Sequence, residues 1–131
     1  MEPALNPFGH IDLRVASMAD ALPFYIALMP VLGFATESHS ERWKCFDAAG
    51  ELPEQAFFAI TESQGHIANE NRIAFWAASR DDVDRAARVV RDAGAHIESG
   101  PRACPEYSES YYAVFFRDPS GNRLEVCFRT D

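Results

Sequence analysis

Three short stretches of this 131-residue chain place reactive side chains at every second position. The first is His10-Ile11-Asp12-Leu13-Arg14-Val15, the second Arg72-Ile73-Ala74-Phe75-Trp76, and the third Arg123-Leu124-Glu125-Val126-Cys127-Phe128. Alternate side chains of a β-strand share a face. His10 therefore travels with Asp12 and Arg14, Arg72 with Ala74 and Trp76, and Glu125 with Arg123 and Cys127. Imidazole and carboxylate can accept a proton or ligate a metal ion. A guanidinium offers fixed donors to an oxyanion but has no lone pair for a metal. Taken alone, a polar strand face is the solvent side of an antiparallel sheet, and parity does not separate that reading from a functional site.

Composition narrows the classes. Hydrophobic residues make up 47% and aromatics 12%, enough for a packed core and too many for a disordered chain. The formal net charge of −8 repels phosphate backbones and anionic lipid, so neither nucleic acid nor membrane is an expected partner. No apolar run approaches the ~18 residues of a membrane span. Met1 to Phe8 lacks the basic and apolar parts of a signal peptide. The odd set Cys45, Cys104 and Cys127 contains no close metal-binding pair and reads as free thiols in a reducing cytoplasm. His39 and His96 read as surface residues.

The elements that must position these residues come in two copies. His10, Ser17 and Asp20 recur as Arg72, Ser79 and Asp82, each pair 62 positions apart. In both copies an alternating strand runs into Ser-x-x-Asp, a helix start in which the Ser caps free backbone N–H groups. Helices are predicted over about Met18 to Leu32 and Arg80 to Ala93, ended by Gly33 and Gly94. Pro23 predicts a late or irregular start for the first. Strands follow over Trp43 to Phe46, Gln55 to Thr61, Ala95 to Glu98, Tyr111 to Phe116 and Arg123 to Arg129, with a less distinct one between Ala35 and Arg42. Asp118-Pro119-Ser120-Gly121-Asn122 joins the last two by a turn. The pattern is β-α-β-β-β, twice.

The opening Gly-His-Ile-x-Leu-x-Val, the Ala-Leu-Pro-Phe-Tyr and Leu-Gly-Phe stretches, Arg-Ile-Ala-Phe-Trp-Ala and the ending Asp-Pro-Ser-Gly-Asn-Arg-Leu-Glu-Val resemble the glyoxalase/bleomycin resistance/dioxygenase (vicinal oxygen chelate) superfamily. The resemblance covers about Gly9 to Phe128. It implies an α+β fold in which two pseudo-repeated βαβββ modules form a cupped mixed sheet with flanking helices. A single domain over 1–131 is expected, with module one at about 8–62 and module two at about 70–129. Known activities of the superfamily include glyoxalase isomerisation, extradiol ring cleavage, epimerisation and thiol transfer to fosfomycin, and some members simply bind a drug.

Metal-using relatives take ligands from matched strand positions, typically two His and a Glu, with a fourth ligand from module one. By that resemblance the first position is His10 and the last is Glu125. The module-two His position is Arg72 and the fourth falls near Ala59, so two of the four have lost their ligand chemistry. Gly65-His66-Ile67-Ala68 imitates a ligand strand, but adopting it breaks the 62-residue offset, and His66 is assigned to the preceding loop. A divalent Zn, Ni, Mn or Fe ion held by His10 and Glu125 is one reading, and a metal-free site is preferred. In the latter Arg72 either offers donors to a ligand oxyanion or forms a structural ion pair with Glu125.

The implied catalytic set is His10, Glu125 and Arg72, with His10 or Glu125 as base and Arg72 or a weakly held metal ion as electrophile. The implied ligand-binding set is Asp12, Arg14, Trp76, Tyr107, Tyr112 and Cys127. Tyr107 and Tyr112 are chosen because a Pro-, Ser- and Glu-rich loop, Pro101 to Ser110, leads to them. Arg14 matches a position that helps bind glutathione in some relatives. The expected function is a glyoxalase-like lyase or isomerase, or a small-molecule-binding protein with a degenerate metal site. The rivals are a drug- or metabolite-sequestering protein of the bleomycin-resistance type and a structural or regulatory dimer. A cytoplasmic homodimer is expected by analogy, with His10 meeting Arg72 and Glu125 of a partner chain if sites are shared.

Overall fold

The structure, a computed structural model, describes residues 7–40, 42–50 and 55–131. Most of the N-terminal stretch read above for a leader, residues 1–6, lies outside them. The element order is β1 (His10–Val15), α1 (Met18–Leu28), a 3-10 turn (Met29–Leu32), β2 (Phe34–His39), β3 (Trp43–Ala48), β4 (Phe57–Glu62), β5 (Arg72–Trp76), α2 (Arg80–Asp92), β6 (His96–Ala103), β7 (Tyr112–Arg117) and β8 (Arg123–Phe128). The strands form two four-stranded sheets in the orders β1-β4-β3-β2 and β5-β8-β7-β6. In each, the first strand pairs parallel with the last and the remaining pairs are antiparallel. The repeat visible in the sequence is therefore a repeat of topology.

Both helices start where the Ser-x-x-Asp signals place them. The hydroxyls of Ser17 and Ser79 accept from the backbone N–H groups of Asp20 and Asp82, at 3.2 and 3.1 Å. The first helix does not start late: it begins at Met18 and carries Pro23 inside it. Pro23 has no N–H, so one bond of the ladder is missing, and its ring lies at an exposed position where that gap is open to water. Gly33 and Gly94 end the helical segments with φ of 96° and 78°, a region costly for residues with a Cβ.

The core is one cluster shared by both modules. Phe24, Tyr25, Phe46, Phe58 and Ile60 of the first pack with Val83, Val90, Phe116, Leu124 and Val126 of the second. The Phe58 and Phe75 rings meet edge to face with centroids 5.3 Å apart, joining β4 to β5. Ile11, Leu13 and Ile73 pack against this cluster, so the alternate residues of β1 and β5 are turned away from it.

A polar latch fixes one module on the other. Asp118, 4% exposed, accepts from the Tyr25 hydroxyl at 2.6 Å and from Ser120 N, Asn122 N and Asn122 Nδ2, each at 2.9 Å. Asn122 Nδ2 also donates to the Arg14 carbonyl, and Ala16 N donates to Ser120 Oγ. The turn that closes module two is thereby bonded to the end of β1. Burial, reinforced by the Asp118 carboxylate, holds the Tyr25 hydroxyl well above its ordinary pKa.

Candidate functional site

Strand register assigns the residues of the two open faces. In module one His10 lies beside Phe57, Asp12 beside Ala59 and Arg14 beside Thr61. The His10 and Phe57 rings stack with centroids 4.4 Å apart and planes 2° apart. Asp12 accepts from Arg14 at 2.6 Å and from Thr61 Oγ1 at 3.0 Å. This face is exposed, and its short polar contacts are satisfied within it.

In module two Arg72 lies beside Arg123, Ala74 beside Glu125 and Trp76 beside Cys127, and β7 adds Arg117, Phe115 and Ala113 opposite the same three residues of β8. The Arg72 guanidinium sits 4.9 Å from the centre of the Phe115 ring, and Arg102 sits 5.7 Å from it. Arg102 is paired with Glu106 at 3.0 Å. Glu125 is 6% exposed and accepts a hydrogen bond from the Tyr111 hydroxyl. Burial, and then that hydrogen bond, raise the Tyr111 pKa, so Tyr111 is the donor of the pair. Tyr107 is 58% exposed, with its ring 5.1 Å from Tyr111 and 6.5 Å from Phe115.

Between the modules lies a groove of about 640 Å³. His10 and Phe57 form part of one wall, and Arg72, Ala74 and Trp76 part of the other. His10 and Arg72 therefore face one space within a single chain, without a partner subunit. Glu125 does not line this groove, so the expected trio is only partly assembled.

Several expectations need correction. Arg72 and Glu125 do not form an ion pair: Glu125 is taken by Tyr111 and Arg72 lies on Phe115. Tyr112 is not on the site face. Its hydroxyl donates to Asp84 of α2 at 2.7 Å and Arg80 lies 5.0 Å from its ring, because it shares parity with the core residues Val114 and Phe116. Cys127 is on the site face but only 7% exposed, and burial pushes its thiol up, away from nucleophilic reactivity. His66 lies in the loop before β5, as expected, held by Asn122 Oδ1 at 2.9 Å. Asp12 and Arg14 lie on the expected face but are spent on each other, and Trp76, 63% exposed, also carries Arg129 5.1 Å from its ring.

Sequence reasoning missed Tyr111 as the partner of Glu125, and it missed Phe115 and Arg102. One signal was available. Counting outward from the five-residue turn 118–122 pairs Arg117 with Arg123 and Phe115 with Glu125, which puts Phe115 on the site face and Tyr112 on the core side.

Two βαβββ modules in this arrangement define the two-module cup class of α+β folds. The Glyoxalase/Bleomycin resistance protein/Dioxygenase superfamily is matched over residues 8–126, and the chain belongs to it. Solved structures agree in fold. A glyoxalase/bleomycin resistance protein from Albidiferax ferrireducens T118 superposes with a TM-score of 0.78 at 22% identity, covering 95% of this chain and 100% of that one. The fosfomycin resistance protein FosX from Mesorhizobium loti gives 0.68 at 20% identity, with coverage of 96% and 94%. A mutant FosX from Listeria monocytogenes, solved with Mn(II) and 1S,2S-dihydroxypropylphosphonic acid, gives 0.67 at 21% identity, with coverage of 93% and 89%. No curated protein matches the sequence.

The donor set does not suit a metal of the kind that relatives bind. Among the described residues that line the groove, His10 is the one side chain with a lone pair to offer a metal, and the Arg72 guanidinium has none. Glu125 already serves Tyr111. Among the described residues no group of three or more His, Cys, Asp or Glu is placed to hold an ion. Among them, too, no helix is long and apolar enough to cross a membrane.

Proposed function

We propose that this chain is a small-molecule-binding member of its superfamily, of the ligand-sequestering kind, with Arg72 standing where relatives place a metal ligand. The observation that carries this reading is the groove itself: an apolar, aromatic-walled space with one guanidinium and one imidazole converging on it. Such a site needs no ion to hold its ligand. Apolar walls supply affinity, and a few polar groups supply orientation.

A second reading, proton transfer at a carbon next to an oxygen, is favoured by one feature. His10 and Arg72 line the same groove, so a base and an electrophile can face one substrate. His10 stacked on Phe57 is held in a fixed plane, as a base must be.

The test is a fragment titration followed by amide and indole NMR on chelator-treated protein. The binding reading expects shifts confined to β1, β4 and β5, including the Trp76 indole N–H. Binding that appears only after Mn(II), Ni(II) or Zn(II) is added, or shifts that map elsewhere, would overturn it.

A further inference from the structure

Charge is distributed unevenly on the site face of module two. Across β5, β8 and β7 the register aligns Arg72, Arg123 and Arg117 in one row. Like charges directly opposite one another on a sheet are destabilising, and neighbouring strands are only about 4.8 Å apart. In a chain of net charge −8, such a row stands out.

Three other cations near the site are neutralised. Arg117 pairs with Glu98 at 3.3 Å, Arg102 with Glu106 and Arg14 with Asp12. Arg72 and Arg123 are not: among the described residues neither guanidinium has a hydrogen bond or an ion pair, and Arg72 has only the Phe115 ring beneath it. Among the described residues, too, no Asp or Glu lines the groove that Arg72 borders. Arg72 thus borders an apolar space without an anion, and Arg123, which is not part of the groove wall, lies beside it in register on β8.

We infer that the groove takes an amphipathic organic anion, its oxyanion head shared by Arg72 and Arg123 and its ring-sized apolar body lying between Phe57 and Trp76. This rests on the binding reading above and names the ligand class. Guanidiniums suit planar oxyanions because their donors form a fork of fixed geometry. The volume of about 640 Å³ admits one or two rings. The repulsion between the two arginines is relieved only when the head binds, so the head group contributes more here than at a single cation.

The experiment uses the full chain carrying Trp43→Phe, which leaves Trp76 as the only tryptophan. Trp76 fluorescence is followed on titration with 3-phenylpropionate, with its neutral isostere 3-phenylpropionamide, and with acetate. Charge-assisted hydrogen bonds predict that the carboxylate binds about tenfold or more tightly than the amide. Arg72→Gln and Arg123→Gln should each remove most of that gap, weakening the carboxylate far more than the amide, and acetate should leave Trp76 unchanged at concentrations that saturate with phenylpropionate. Equal binding of carboxylate and amide would overturn the inference while leaving the groove a ligand site. An unaffected gap in Arg123→Gln would overturn the shared head-group site. Failure of both phenyl probes to bind would overturn this inference and the binding reading together.

Discussion

The two modules share one backbone plan and differ in what their open faces do with charge. On module one, Asp12, Arg14 and Thr61 satisfy one another in water, and His10 lies flat on Phe57. On module two a carboxylate is buried under a tyrosine, and among the described residues two guanidiniums have no anion. Where register sets Ala59 on one sheet it sets Glu125 on the other, and where it sets His10 it sets Arg72. Duplicated topology has kept the core pattern, because the helices must be covered in both copies. The open face is free of that constraint, and there the chemistry has diverged.

Breaking the latch between the modules should have the largest effect. Asp118→Ala leaves the Tyr25 hydroxyl and three N–H donors without their acceptor, and the expected loss is on the order of 3 kcal/mol, read from chemical denaturation. An unchanged midpoint would mean that the two faces are not held in register by this turn. Next, Glu125→Ala should cost about 1–3 kcal/mol, since it strands the Tyr111 donor in a half-buried site. Glu125→Gln, which keeps an acceptor, should cost less.

Alkaline pH probes the same latch through Tyr25. Its pKa is raised on folding, so its contribution is fully present below the unfolded value of about 10 and is lost as pH rises above it. Stability should fall by about 1 kcal/mol between pH 10 and 11 from this group, and Tyr25→Phe should flatten that part of the profile. The smallest effect is expected on module one. Asp12→Ala breaks an exposed pair with side chains 42–49% accessible, and the change should stay within about 0.5 kcal/mol. A large loss there would erase the contrast between the faces.

Much of this was legible before any coordinates. The offset between His10 and Arg72, the Ser17 and Ser79 caps and the Gly33 and Gly94 stops fixed both helices and the repeat, because each is a local signal with a local cause. Strand parity placed His10, Arg72, Arg123 and Glu125 on the open faces. What parity along one strand does not reveal is which residue of another strand lies alongside. Tyr111 and Phe115 reach Glu125 and Arg72 through pairing across the 118–122 turn, and Tyr112 went to the core for the same reason. The first helix began at Met18 despite Pro23, because the Ser17 cap and the buried Phe24 and Tyr25 outweigh one missing hydrogen bond.

The central claim, that Arg72 replaces a metal in organising this site, is tested most directly by metal content. Protein incubated with Mn(II), Ni(II), Zn(II) and Fe(II), desalted and analysed by mass spectrometry is predicted to hold well under one ion per chain, with no difference in His10→Ala or Glu125→Ala. About one ion per chain, lost in both variants, would contradict it.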